Sequence, residues 1–180
     1  MTRPAGGLEG QAILVTGGGT GIGAACAKAL VADGAAVTIC GRRNEALEAA
    51  AERIGAVADC GGTIQTIVAD VTDEESMAAA VKKALEPTGR LNGCVANAGG
   101  GGGMGPYHVL DTAEFLRVLN LNVLGTMLSV KLSVPHMVEA GGGSFVGMSS
   151  IAGHVPHAYF GAYCVGKAGI EEMMRNAANE

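Results

Sequence analysis

Ala12-Ile13-Leu14-Val15-Thr16-Gly17-Gly18-Gly19-Thr20-Gly21-Ile22-Gly23 decides the fold. Its first four residues form a compact apolar run without polar alternation, which predicts a strand buried on both faces. A glycine-rich turn follows at once. Ala24 to Ala32 is then alanine-rich, with apolar residues on more than one side, and Asp33-Gly34 supplies a helix stop. Strand, glycine turn and helix in direct succession gather backbone amides and a positive helix end around one point. Gly17, Gly21 and Gly23, with Thr20 and Ile22 between them, are the candidate residues of a turn that an anion can approach closely. A diphosphate fits that description; an ordinary glycine turn is the competing reading.

The alternation continues outward from this stretch. Ala36-Val37-Thr38-Ile39-Cys40 predicts a second strand, closed by Gly41-Arg42-Arg43, and Asn44 is placed to cap a helix through about Ala58. Thr63 to Val68 predicts a third strand, followed by Ala69-Asp70-Val71. Thr72 or Asp73 caps the next helix, to about Glu86, with Glu75 placed for a capping box to Thr72. Leu91 to Ala96 predicts a fourth strand, before Asn97-Ala98 and five consecutive glycines, 99–103. One long helix is expected from about Thr112 to Glu139, a fifth strand over Ser144 to Met148, and a last helix that contains Tyr163 and runs to the end. Strands and helices alternating about every 25–35 residues imply parallel strands, right-handed crossovers and helices on both faces. The expected architecture is a doubly wound α/β fold with five strands. No repeat or linker interrupts it, so residues 1–180 are expected to form one domain.

Composition narrows the function classes. The 180 residues carry twelve basic and seventeen acidic side chains, a net charge of -5, with no basic block of the kind that binds nucleic acid. No apolar run is expected to reach the length of a membrane span, and the first residues lack the apolar core of a signal peptide. The five cysteines, Cys26, Cys40, Cys60, Cys94 and Cys164, are scattered without a Cys-x-x-Cys pair. They read as reduced, mostly buried thiols of a cytoplasmic protein. The four histidines show no metal-ligand spacing, and no metal is expected.

In a sheet of this kind, ligands bind beyond the carboxyl ends of the strands. After the second strand a carboxylate would accept from a free ribose 2′-hydroxyl. This chain has Gly41 there and then Arg42 and Arg43, and guanidinium groups suit a phosphate. The sequence therefore favours a 2′-phosphorylated cofactor, NADP, over NAD. Asp70 is placed to accept from an adenine amino group and Val71 to pack on the ring, the alternative for Asp70 being a turn residue before a cap. Asn97 either ties neighbouring strand ends together or contacts the cofactor with Ala98 and Gly99. The glycine run beyond them reads as a mobile loop near the ligand.

Tyr163 and Lys167 stand four apart and share one helix face. An ammonium beside a phenol favours the phenolate, which makes the phenol a usable proton donor and acceptor near neutral pH. Ser150 lies thirteen positions upstream and reaches the same substrate oxygen if the chain doubles back. Thr16-Gly17-x-x-x-Gly21-x-Gly23, Asp70-Val71, Asn97-Ala98-Gly99, Asn122-Val123-x-Gly125, Ser150 and Tyr163-x-x-x-Lys167 stand in order along the chain. Together they resemble the short-chain dehydrogenase/reductase (SDR) family, over nearly the whole chain.

That resemblance implies a Rossmann domain carrying NAD(P) and an active site of Asn122, Ser150, Tyr163 and Lys167. It implies that Tyr163 exchanges a proton with the substrate oxygen, which Ser150 holds. Lys167 would lower the Tyr163 pKa and bind the nicotinamide ribose, and Asn122 would hold a water linking Lys167 to solvent. The function expected is oxidoreduction of a small-molecule carbonyl/alcohol pair by hydride transfer. A non-catalytic dinucleotide-binding sensor or scaffold, and enoyl reduction on the same frame, are the alternatives. The resemblance also implies a homodimer or homotetramer through the long helix and the Tyr163 helix. Family members continue past that helix with further strands and a substrate lid, so the chain is expected to be C-terminally truncated relative to them. The fifth strand would then be an exposed sheet edge, and this exact chain poorly soluble or inactive. Met104, Val155, Pro156, His157 and Phe160 are expected to line part of the substrate pocket.

Overall fold

The computed structural model describes residues 7–56, 58 and 61–180. β1 (Ala12–Thr16) is buried at every position, as an unbroken apolar run requires. It is paired on both sides, with β2 (Ala36–Gly41) and β4 (Gly93–Ala96). β3 (Thr63–Val68) extends the sheet beyond β2, and β5 (Ser144–Gly147) extends it beyond β4. All pairs are parallel and the order is β3-β2-β1-β4-β5. The chain thus winds outward from β1 to β3, then crosses back and winds the other way. The reversal falls between β1 and β4, where a crevice opens at the carboxyl ends.

The two faces of the sheet have separate cores. On one, Ile13, Val15, Val37 and Ile39 pack with Val31 of α1 (Gly21–Ala32) and with Leu47 and Ile54 of α2 (Asn44–Gly55). On the other, Leu14, Cys40 and Cys94 pack with Met77 and Val81 of α3 (Glu74–Leu85) and with Met137 of α5 (Gly125–Glu139). The alternation of Ile13, Leu14 and Val15 between faces is the period of two of a strand. Burial pushes the Cys40 and Cys94 thiols up to about 12, which keeps both protonated. Cys26, Cys40, Cys94 and Cys164 are all free; Cys60 lies outside the described residues.

Several boundaries differ from the sequence expectation. α2 ends at Gly55 rather than about Ala58. Its N-cap is Arg43, and Asn44 is already helical, donating its side-chain amide to Glu48 Oε1 at 2.8 Å. α3 is capped by Asp73, whose carboxylate accepts from Ser76 N at 2.7 Å. The Thr72–Glu75 capping box does not form, because Thr72 turns its hydroxyl to Asp70 Oδ1 at 2.8 Å. β4 starts at Gly93, since Asn92 is spent joining Ala12, accepting from its amide at Oδ1 (3.0 Å) and donating to its carbonyl (2.9 Å).

The expected long helix forms as one continuous run over Thr112–Glu139. Its two parts, α4 (Thr112–Leu119) and α5, are joined by one wide, π-type turn at Asn120–Leu124. The whole run Thr112–Glu139 is, by length and composition alone, long and apolar enough to cross a membrane, contrary to the expectation. In this fold α5 packs on α3 and β4 and buries Leu128 and Met137. α6 (Gly161–Ala177) packs on α4, on the wide turn and on the 150s loop. Among the described residues β5 has one neighbour, β4, and Val146 on it is exposed.

Leu14, fully buried at the centre of the sheet, has no room to relax around a cavity. Leu14→Ala is expected to lower the free energy of urea unfolding by about 2–5 kcal/mol. A loss below about 1 kcal/mol would mean that the two cores are not close-packed across β1.

Candidate active site

The chain leaves β1 through Gly17, which takes φ +65°. A side chain there would also meet Asn97 Nδ2 at 2.9 Å and Ala98 Cα at 3.0 Å, so glycine is demanded twice. Gly21 opens α1 at φ +55°. Gly23 is buried under the turn, where a Cβ would strike Gly17 O and Asn97 Nδ2. Thr20 is the N-cap of α1 but makes no side-chain cap hydrogen bond, so the positive end of that helix is left to an anion or to water.

A cleft of about 590 Å³ runs over these strand ends. It collects Gly17, Thr20 and Ile22 after β1, Arg42 and Arg43 after β2, and Asp70 and Val71 after β3. Asn97, Ala98 and Gly99 after β4 join the same lining, with Ser150 after β5 and Tyr163 and Lys167 from α6. Every candidate residue except Gly21, Gly23 and Asn122 therefore faces one cavity. Those three act from behind it, the two glycines by shaping the turn and Asn122 by holding the wall. Met104, Val155, Pro156, His157 and Phe160 are exposed and do not line the cleft.

Asn97 does what one of its two readings required. Its Nδ2 donates to Thr16 O at 3.0 Å, tying the end of β4 to the end of β1, and it still borders the cleft. Ala98 N donates to Thr16 Oγ1 at 2.9 Å. Asp70 is the turn residue before a cap that one of its readings required. Its Oδ1 accepts from Thr72 N at 2.9 Å and from the Thr72 hydroxyl, while its carboxylate borders the cleft. The Thr72 amide, the Thr72 hydroxyl and the nearby Arg42 hold the Asp70 carboxyl below the usual carboxylate range. Neither the Arg42 nor the Arg43 guanidinium makes a hydrogen bond or ion pair with any described residue, and both side chains are exposed at the cleft.

Lys167 is 3% exposed and donates from Nζ to Met148 O at 2.6 Å. The same Nζ lies 5.5 Å from the centre of the Tyr163 ring. Burial lowers its pKa, since the charged form loses water. Ser150 caps the short 3-10 turn Ile151–Gly153, its Oγ accepting from Ala152 N at 3.2 Å. Asn122 is fully buried in the wide turn. Its Nδ2 donates to Val118 O and to Gly100 O, both at 2.8 Å, and its Oδ1 accepts from Gly100 N at 3.3 Å. The asparagine thus satisfies a helix carbonyl and fixes the start of the glycine run. Gly99 lies close against both Asn122 and Lys167, since a Cβ there would be 2.7 Å from Asn122 Oδ1 and 3.2 Å from Lys167 Nζ. Asn120, two positions away, is exposed.

Sequence reasoning passed over Thr16, Met148 and Ser149. Thr16 was inside the quoted motif, and its hydroxyl was the available signal. Met148 acts through its carbonyl, which no residue type advertises. Ser149 adjoins Ser150, and only the direction of its side chain separates their roles.

A family model for short chain dehydrogenase matches residues 11–180. The chain belongs to the short-chain dehydrogenase family. It is 39% identical over 165 residues to cis-4-hydroxycyclohexanecarboxylate dehydrogenase of Sinomonas cyclohexanicum, a match covering 92% of this chain and 65% of that protein. A short-chain type dehydrogenase/reductase from Mycobacterium ulcerans has a related structure, with TM-score 0.94 and 42% identity over 96% of this chain and 62% of that one. An NAD+-bound xylitol dehydrogenase gives TM-score 0.88 at 31% identity, covering 95% of this chain and 65% of that one. A metagenomic short-chain oxidoreductase in complex with NADP gives 0.87 at 34%, covering 96% and 76%. The chain spans about 65% of the length of curated relatives it matches.

The buried ammonium has a consequence for stability. The folded pKa of Lys167 lies below the ordinary 10.5, so between those two values the unfolded chain binds more protons than the folded one. Stability from this group therefore rises with pH in that window, and below it the desolvation cost is constant. The unfolding free energy of the wild type is expected to climb relative to Lys167→Met as pH is raised towards 10.5. Urea titrations at neutral and alkaline pH check this, and parallel curves for the two proteins would contradict it.

Proposed function

We propose that the protein is an NAD(P)-dependent oxidoreductase that interconverts a carbonyl and an alcohol, with Tyr163 as the acid/base. One observation carries this reading: a single cleft whose lining joins the glycine turn after β1 to Ser150, Tyr163 and Lys167. The turn fits a dinucleotide, because its glycines leave no side chain in the way and the end of α1 has no protein cap. The bound cofactor supplies or accepts the hydride.

The protein's own groups divide the remaining work. The Tyr163 hydroxyl exchanges the proton with the substrate oxygen. The Ser150 hydroxyl accepts from Ala152 N, which leaves its proton free to hold that same oxygen. Lys167 spends one N–H on Met148 O and keeps two for ribose hydroxyls, while its charge sits by the Tyr163 ring. Asn122 keeps Gly99 and Gly100 against the ammonium, and a water between Asn122 and Lys167 completes the proton path to solvent. Arg42 and Arg43, exposed and with guanidinium groups that make no hydrogen bond or ion pair among the described residues, are assigned to a 2′-phosphate, which makes NADP the preferred cofactor over NAD. Relatives are described with each of the two cofactors, so the preference rests on these arginines.

The substrate is a small-molecule alcohol or ketone, the class named for the curated dehydrogenases it resembles. Assembly as a homodimer or homotetramer would use the shallow groove between α5 and α6, lined by Met127, Val130, Gly169 and Met173. A cytoplasmic site of action accords with four unpaired thiols among the described residues.

In the whole protein, NADPH is expected to bind more tightly than NADH, and Arg42→Ala to weaken NADPH about tenfold while leaving NADH nearly unchanged. Fluorescence titration measures both, and tighter NADH binding by the wild type would reverse the assignment. Tyr163→Phe is expected to lower kcat on a panel of carbonyl substrates by about 100-fold or more, with cofactor affinity retained. Turnover by that variant close to the wild-type rate would remove Tyr163 from the chemistry.

A further inference from the structure

α6 presents Tyr163, Lys167 and Glu171 at successive intervals of four, one stripe facing the end of β5 and the loop that follows. The first two line the cleft. Glu171 does not, yet its side chain is only 15% exposed. A carboxylate held that far from water needs partners, and its partners lie on the loop that carries Ser150. Ser149 Oγ is 2.6 Å from Glu171 Oε1. His154 Nε2 is 3.1 Å from the same oxygen. One carboxylate oxygen thus joins both ends of the six residues 149–154, with Ser150 between them. The other oxygen faces Arg175, 3.8 Å away on the next turn of α6.

Two further features belong to this junction. Ser149 Oγ also lies 3.0 Å from Lys167 O, so a single hydroxyl proton is set between two acceptors on α6, and the shorter contact is to the carboxylate. Gly153 passes close over the pair, where a Cβ would fall 2.6 Å from Glu171 Oε1 and 2.9 Å from Ser149 Oγ. The loop can lie this near α6 because residue 153 has no side chain. Within the loop, Gly153 N donates to Ser150 O at 2.9 Å and Ala152 N donates to Ser150 Oγ. A loop fixed at 149 and 154 therefore fixes the Ser150 hydroxyl between them.

We propose that Glu171 is a positioning residue, which pins the Ser149–His154 loop to α6 and so sets the Ser150 hydroxyl in register with Tyr163 and Lys167. The proposal rests on the reading of Ser150 as the group that holds the substrate oxygen. Because Tyr163, Lys167 and Glu171 share one rigid helix, the joint that Glu171 makes acts with the Lys167–Met148 and Ser149–Lys167 backbone bonds to set the distance from Ser150 to the other two.

The test compares Glu171→Leu with Glu171→Gln in the whole protein. Glutamine keeps an oxygen that accepts from Ser149 and stays beside His154; leucine fills the space without accepting. Hydrogen exchange at the Ala152, Gly153 and His154 amides is expected to rise about tenfold in Glu171→Leu, with the α6 amides unchanged, and to stay near wild type in Glu171→Gln. Kcat is expected to fall about tenfold in Glu171→Leu alone, with the cofactor Kd within about twofold of wild type. Adding Ser149→Ala to Glu171→Leu should bring clearly less than the sum of the two single losses, since the variants share the Ser149–Glu171 bond and differ only in the Ser149–Lys167 O bond. Unchanged exchange in Glu171→Leu would overturn the proposal, as would equal losses in the two Glu171 variants or fully additive losses with Ser149→Ala. Wild-type turnover by Tyr163→Phe would instead overturn the assigned chemistry, and the exchange experiment would still decide the role of Glu171.

Discussion

The ends of β1 and β4 are tied by the Thr16 residue. Its carbonyl accepts from Asn97 and its hydroxyl accepts from Ala98 N. This joint sits where the winding of the sheet reverses, so no crossover helix covers it. Were the two strand ends to splay, Gly17 and Gly23 would lose the Asn97 amide against which they pack. Gly99, which follows directly, would lose its place against Asn122 and Lys167. The glycine turn on one side of the cleft and the ammonium on the other are therefore set by the same few hydrogen bonds.

The second constraint is the wide turn in the helix that follows β4. An asparagine inside a helix competes with the backbone for carbonyls. Here Asn122 wins that competition for Val118 O, and the helix widens by one residue over Asn120–Leu124. Widened turns of this type are frequent at functional sites. The gain is that a fully buried side-chain amide reaches sideways to Gly100 as well, giving a glycine run two fixed points at its start. Farther along, Arg117 donates to Gly101 O at 3.3 Å. A run of five glycines, which has no preference of its own, is thereby given a conformation by neighbours on α4 and the wide turn.

Much of this was readable from the residues. The continuous apolar run of β1, the glycines after it and the alternation of elements gave the parallel sheet, because burial on both faces and the need for a turn without side chains leave few other outcomes. The residues at the strand ends followed, since a parallel sheet delivers all its carboxyl ends to one side. Element boundaries were less readable. Thr72 and Asp73 are both good caps, and only the position of Asp70 decided that Thr72 would turn back to it. The wide turn inside the long helix was foreshadowed by Asn122 but not specified, because an asparagine in a helix faces solvent as readily as it faces a carbonyl.

By itself the sequence determined the fold class, the side of the sheet on which ligands collect, and the residue types available there. Those follow from periodicity and from the conformational freedom of glycine, which are local properties. Tertiary structure alone decided how these groups are held. The carbonyl of Met148 that receives Lys167, the Gly100 amide that engages Asn122, and the Glu171 carboxylate between Ser149 and His154 all join segments distant in sequence. Two of these three joints use a backbone group, which every residue carries and no letter of the sequence distinguishes. Their partners were chosen by packing, since a buried amide, ammonium or carboxylate must find whatever donor or acceptor the folded chain brings within reach.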